Sequence, residues 1–515
     1  MKAHALILLN AFAGSFAYPQ SKISTVLARQ EVDPSTVSCD AQFLNDAASS
    51  SPDRWSASGA DVAWRDVVAL WNTEQGNVSP GAHPLNFSAF VSNHFNGPDL
   101  MVCENIKDGP CQHTVQCDHV NQPAGWLILN SLVAIHGLRY TMHEAVVESL
   151  NSMQTTVAGF QSVFAPQKTE SSTWLKDLVS GINLVLGLAY AYSWNIPFKA
   201  AKIFEGNQYH GVAKDSAAAA ITFGISMWRN RFTTPTSVQD DVNSIMAAVF
   251  DPWAAAEIAY VEDIFSGTTE ATDTLTALLQ RGMALDLTVN IHYSAYLTAI
   301  QKIVYSLLLP SIWPQAVIDD KSAHPYLVIP MILAGEGDCV TSGDQLPSIV
   351  SEADAANIAV CYDERTFYVG YATWENDVGD SDMPEDFYNP VVANLKLNPL
   401  PGGTKSEFDG TKWGGLTLDD LVISAYEGWR NNDFVNGWEI PDLGAVDGYQ
   451  LMEDGVRTPG LTSIPVCSLK GLEQGAFEEL SPGFTDEILP CASYVLSGAE
   501  KDIWGFFQGP TILDR

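Results

Sequence analysis

Basic residues are scarce in this chain. Against 61 Asp and Glu stand only 26 Lys and Arg in 515 residues, a formal net charge of −35. So negative a chain repels phosphates, which excludes nucleic acid as a partner. It also opposes approach to an anionic membrane at neutral pH. Charged residues of both signs together make up 17%, whereas apolar residues make up 46%. Disordered chains show the opposite balance, so most of this one folds. Complete catalytic motifs are missing as well. There is no Gly-x-Ser-x-Gly nucleophile elbow, no phosphate-binding glycine loop and no dinucleotide fingerprint. No small-molecule cofactor is implied, and no repeat is visible at the common repeat periods.

What is present reads first as an address. Lys2, a short apolar run over 3–12 and the small-x-small pattern Ser15-Phe16-Ala17 predict a cleaved signal peptide over residues 1–17. Eight cysteines, an even number, predict disulfides: Cys39, Cys103, Cys111, Cys117, Cys339, Cys361, Cys467 and Cys491. Spacing favours Cys339–Cys361 and Cys467–Cys491 as local bridges and leaves the other four as an N-terminal cluster. Asn77 and Asn86 each begin an Asn-x-Ser glycosylation triplet. Together these features predict a secreted, extracellular protein.

The hydropathy pattern predicts a mainly α protein with a smaller mixed α/β, loop-rich C-terminal region. A polar lead segment covers 18–58, a mainly helical domain 59–320, and a Trp- and Gly-rich region 321–515. A cysteine-rich loop spans 93–120. After it, Trp126, Leu129, Val133, His136, Tyr140 and Val147 recur at helical steps from Pro123 onward. A further helix pair is expected to break at Asp251-Pro252, and a long helix over 269–309 to end at Pro310. Strands are expected near 325–333 and 366–371. A helix over 418–429 carries Thr417 as its cap.

Residues 178–198 carry no charge and, in helical form, are long enough to cross a hydrocarbon layer of about 30 Å. Residues 216–228 are also uncharged but too short to span alone. Three readings fit: a buried hairpin inside a helical core, a hairpin that inserts into membrane on a trigger, and a constitutive anchor. The trigger would be acid, since the net charge vanishes near the sequence pI of 4.4.

Candidate chemistry is sparse. Cys111-Gln112-His113 and Cys117-Asp118-His119 repeat Cys-x-His, but in a secreted chain the cysteines pair with each other and no metal site results. His136 and His143 lie two turns apart, about 10.5 Å along one helix face, too far to share a metal ion directly. They are buried-histidine candidates for acid sensing. An acidic cluster follows Trp374: Glu375, Asp377, Asp380, Asp382, Glu385 and Asp386. It supplies weak candidates for the paired carboxylates of a glycoside hydrolase. Trp374, Trp413, Trp429 and Trp438 are either a sugar-stacking platform or core aromatics.

The run Phe95-Asn96-Gly97-Pro98-Asp99-Leu100, then Cys103, Cys111 and Cys117, then 120–131 (VNQPAGWLILNS), resembles a family of secreted filamentous-fungal proteins defined only as a domain of unknown function. The resemblance extends over roughly residues 40–310. It implies a fungal, extracellular protein and carries over no catalytic residue. The leading functional expectation is a non-enzymatic factor, effector- or toxin-like, acting by contact with a protein or a membrane. The alternative is a hydrolase, acting on polysaccharide through C-terminal carboxylates.

Overall fold

The computed structural model describes residues 32–46, 48–74, 85–99, 101–106, 111, 115–166, 242–286, 293–313, 317–318, 326–327, 330–335, 339, 347, 349–374, 395–434, 436, 455–462 and 464–468. The signal peptide, Asn77, the apolar runs 178–198 and 216–228, the acidic cluster after Trp374, Trp438 and Cys491 lie outside these residues. The molecule is mainly α with a smaller mixed α/β part.

The helices are α1 (Gln42–Asn45), α2 (Ser51–Ala57), α3 (Ala60–Glu74), α4 (Phe87–His94), α5 (Pro123–Phe164), α6 (Val242–Ile264), α7 (Thr269–Leu279), α8 (Met283–Asp286), α9 (Tyr293–Ile312), α10 (Glu352–Ile358) and α11 (Leu418–Asn431). The central one is α5. Pro123 sits in its first turn, where a missing N–H costs nothing. Gly125 lets that turn press onto the ring of Phe95, which a Cβ would meet at 2.6 Å. The rest of α5 buries Leu132, Ile135, Leu138, Met142, Val146, Ser149, Met153, Val157 and Phe160 at three- and four-residue steps.

Three helix boundaries differ from the sequence expectation. α6 runs unbroken through Asp251-Pro252. An interior proline costs a free helix about 3 kcal/mol. Here Phe250, Trp253, Ala256, Tyr260, Val261 and Ile264 are all buried, and that burial outweighs the loss. α9 likewise continues past Pro310 to Ile312. The expected helix over 269–309 is instead divided, since Arg281 and Gly282 adopt left-handed φ of 57° and 69° and turn the chain.

The strands are β1 (Val317–Ile318), β2 (Tyr326–Leu327), β3 (Met331–Ala334), β4 (Ala359–Tyr362), β5 (Arg365–Trp374), β6 (Leu395–Pro399) and β7 (Val466–Ser468). β1 and β2 form a separate antiparallel pair. In the larger sheet, β5 pairs antiparallel with β3 on one side and with β4 and β6 in succession on the other, while β7 runs parallel to β3. β3 is buried at every position. Ile332 and Ala334 belong to the main core, while Met331 and Leu333 pack with Ile358 of α10 on the opposite side. A strand covered on both faces reads as a continuous apolar run, not as an alternation.

One continuous core runs across residue 320. Phe164 of α5 packs on Phe408 and Trp413, and Trp313 donates its indole N–H to the Pro401 carbonyl at 2.9 Å. Asp420, in the first turn of α11, accepts from Lys302 of α9 at 2.7 Å and from Arg457 at 2.8 Å. It also completes a capping box with Thr417. Burial pushes the Asp420 carboxyl up, but the Lys302 charge, with hydrogen bonds from Lys302, Arg457 and Thr417, holds it below its ordinary value.

Disulfides join Cys39 to Cys117, Cys103 to Cys111 and Cys339 to Cys361. Cys467 is also bridged. The cysteines of both Cys-x-His pairs are therefore oxidised. Among the described residues no helix is long and apolar enough to cross a membrane.

Candidate functional site

Helices α5 and α6 pack side by side and leave an open groove of about 560 Å³ between them. Its lining consists of two stripes: Tyr140, His143, Glu144 and Val147 from α5, and Asp251, Ala254, Ala255 and Ile258 from α6. Both stripes follow the i, i+3, i+4, i+7 spacing that places residues on one helix face. The small side chains of Ala254 and Ala255 leave the space, and Asp251 stands exposed at one end. The sequence expectation places Asp251 at a break between two helices. The unbroken α6 makes it a side chain of the groove.

His143 is buried, and its Nδ1 lies 3.3 Å from Glu144 Oε1, whose side chain is 46% exposed. The Tyr293 hydroxyl of α9 donates to the Glu144 carbonyl at 3.5 Å. Partial burial, then the charges of Glu148 and Glu144, push that phenol up.

Beneath the groove lies a buried polar knot. Arg139 and Glu257, one residue before Tyr140 and Ile258, point inward and form an ion pair with neither side chain exposed. The Arg139 guanidinium sits 4.2 Å from the Tyr260 ring centre, and Trp253 donates its indole N–H to Glu257 Oε1 at 3.3 Å. Tyr296 of α9 is buried alongside. Desolvation pushes Tyr296 well up and also raises Glu257, against the pull of the Arg139 charge. This knot joins α5 to α6, the two helices that line the groove.

The groove thus offers two carboxylates, an imidazole and a phenol on otherwise apolar walls. Such a lining binds and orients a ligand through apolar contact and a few polar anchors. Among the described residues no cluster of His, Cys, Asp and Glu has the form of a metal site.

The structure separates the residues singled out from sequence. His136 shares a helix face with His143 but meets the cysteine-rich loop, with Nε2 2.9 Å from the Asn105 carbonyl oxygen. Burial holds its pKa below 6.5, partly opposed by that hydrogen bond. Asn86 precedes α4 and donates to Glu104 at 3.4 Å. Trp413 is partly buried and packs against the core on Phe160, Phe164 and Tyr305. Trp429 is half-buried beside Tyr426. Glu375, Asp377, Asp380 and Asp382 fall outside the described residues. Sequence reasoning missed Glu144, Asp251, Arg139 and Glu257. Arg139 and Glu257 did leave a trace, as lone charges within otherwise buried helical runs.

No family model matches the chain, and no solved structure matches it. Two curated proteins of Penicillium expansum resemble it. One is named "Probable chitinase LysM18", 24% identical over 459 residues that cover 81% of this chain and 30% of that protein. The other is named "Secreted chitinase LysM12", 23% identical over 477 residues that cover 84% of this chain and 30% of that protein. The chain therefore spans about 30% of the length of the curated relatives it matches.

Proposed function

We propose that this chain is a secreted, extracellular fungal protein that works by contact, with the α5–α6 groove as its docking site, and that it is not itself a hydrolase. One observation carries the reading. The similarity covers most of this chain but under a third of each chitinase-named relative. The chain then corresponds to one portion of each longer relative, and it has an apolar groove with few polar anchors. The disulfides and the resemblance to secreted fungal proteins support the extracellular setting. The partner is a protein or a membrane. In the membrane case, residues 178–198 and 216–228 are the inserting elements and acid is the trigger.

A second reading is favoured by the names of the relatives and by Glu144 and Asp251 in one groove: a hydrolase acting on chitin through paired carboxylates. Reducing-end release from colloidal chitin by the purified full chain, by Glu144→Gln and by Asp251→Asn separates the two. The contact reading expects no release above the blank from any of them. Release by the wild type that either substitution abolishes would replace it with the hydrolase. Dye release from anionic liposomes at about pH 4.5 but not at about pH 7.5 would identify the partner as a membrane.

A further inference from the structure

The triplet Asn86-Phe87-Ser88 straddles the start of α4, and the fold divides it into an outside and an inside. Asn86 is exposed. It occupies the N-cap position, where an asparagine side chain ordinarily accepts a hydrogen bond from the first turn, yet it makes no such bond. Its Nδ2 instead faces Glu104 Oε2 at 3.4 Å, a long contact. The nitrogen that a sugar would join therefore stands at the surface.

Phe87 and Ser88 are the inside. Phe87 is 1% exposed, with its ring 5.9 Å from that of Trp64 and 5.3 Å from that of Trp71. Ser88 is fully buried. Its hydroxyl accepts from the Cys103 N–H at 3.0 Å. It lies 3.0 Å from the Met101 carbonyl oxygen and 2.9 Å from Glu104 Oε2, two acceptors for its proton. All three partners come from residues 101–104, beside the Cys103–Cys111 bridge. A glycosyl transferase recognises the hydroxyl of the third residue as well as the asparagine. The exposed Asn86 can carry a glycan in the folded molecule without disturbing the core. The buried Ser88 cannot be offered to an enzyme once residues 101–104 have docked on α4.

We infer that Asn86 is an N-glycosylation site filled before residues 101–104 dock on α4, so that this folding step ends the time in which it can be modified. Asn86 Nδ2 forms a bond to the anomeric carbon of an oligosaccharide carried on a lipid diphosphate. The bond from that carbon to the diphosphate oxygen breaks, and the lipid diphosphate leaves with the proton given up by Nδ2. Delivery to the compartment that holds this donor rests on the proposed secretion. The order of events rests on the burial of Phe87 and Ser88 alone.

Purified oligosaccharyltransferase and its lipid-linked donor, acting on the full chain made in bacteria, test the site apart from secretion. The reduced, unfolded chain is expected to gain glycan at Asn86, read by peptide mass mapping. The oxidised, folded chain should gain it at least about tenfold more slowly, since only transiently opened molecules present Ser88. Ser88→Ala in the unfolded chain should abolish modification at Asn86. No glycan on Asn86 of the unfolded chain would overturn the site. Equal rates for folded and unfolded chains, or modification that survives Ser88→Ala, would overturn the order. Chain recovered from the medium of a filamentous-fungal host should carry glycan at Asn86, and recovery without it would also overturn the site. Retention inside the cell would end the secreted reading, and the comparison with purified enzyme would still decide the site.

Discussion

The guanidinium of Arg139 on α5 and the carboxylate of Glu257 on α6 meet in the middle of the helical core, with neither side chain exposed. The pair holds together the two helices that form the groove. Removing one partner strands the other charge in the core. Arg139→Met or Glu257→Leu is therefore expected to destabilise the fold by about 3–5 kcal/mol. The double variant Arg139→Met/Glu257→Leu should recover most of that loss, because apolar groups of similar volume need no desolvated charge. Urea unfolding of the four proteins reads the cycle. Additive single losses would show that the pair does not act as a unit.

His136 is expected to make stability depend on acidity. Burial holds its pKa below 6.5, so the folded state takes up this proton at a lower pH than the unfolded chain does. Its contribution is complete above that ordinary value and is lost as pH falls below it toward the folded pKa. Thermal midpoints at about pH 7, 6 and 5 should therefore fall more steeply for wild type than for His136→Gln. Parallel slopes in the two proteins would rule out His136 as the sensor.

The two bridges of the cysteine-rich loop should differ in weight. Cys39–Cys117 closes a sequence separation of 78 and Cys103–Cys111 one of 8. Loop-closure entropy assigns about 4.5 kcal/mol to the long loop and about 2.6 kcal/mol to the short one. Paired serine substitution of Cys39 and Cys117 should cost about 2 kcal/mol more than that of Cys103 and Cys111 in chemical unfolding. Equal losses would mean that native-state geometry, not chain entropy, sets their contribution.

Some elements were legible because their signals are local. The helix after Pro123 follows from apolar periodicity and a proline in its first turn. The Thr417 cap with Asp420 appears in the structure where the sequence predicts it. The Cys339–Cys361 bridge follows from short spacing within a chain rich in cysteine pairs. Proline misled twice, at Pro252 and Pro310, because the cost of an interior proline is local while the burial that offsets it comes from neighbouring helices.

The sequence by itself determined the mainly α class, the acidic charge and the oxidised cysteines. Each depends on composition, period or spacing, which survive without knowledge of what packs on what. Only the tertiary structure decided that Asp251 lines a groove, that Arg139 finds Glu257 across more than a hundred residues of chain, and that Trp429 meets Phe434 while Trp413 packs on Phe164. The physical reason is common to all of them. A side chain's role here depends on the helix or strand opposite it, and the sequence leaves that neighbour open until the chain has packed.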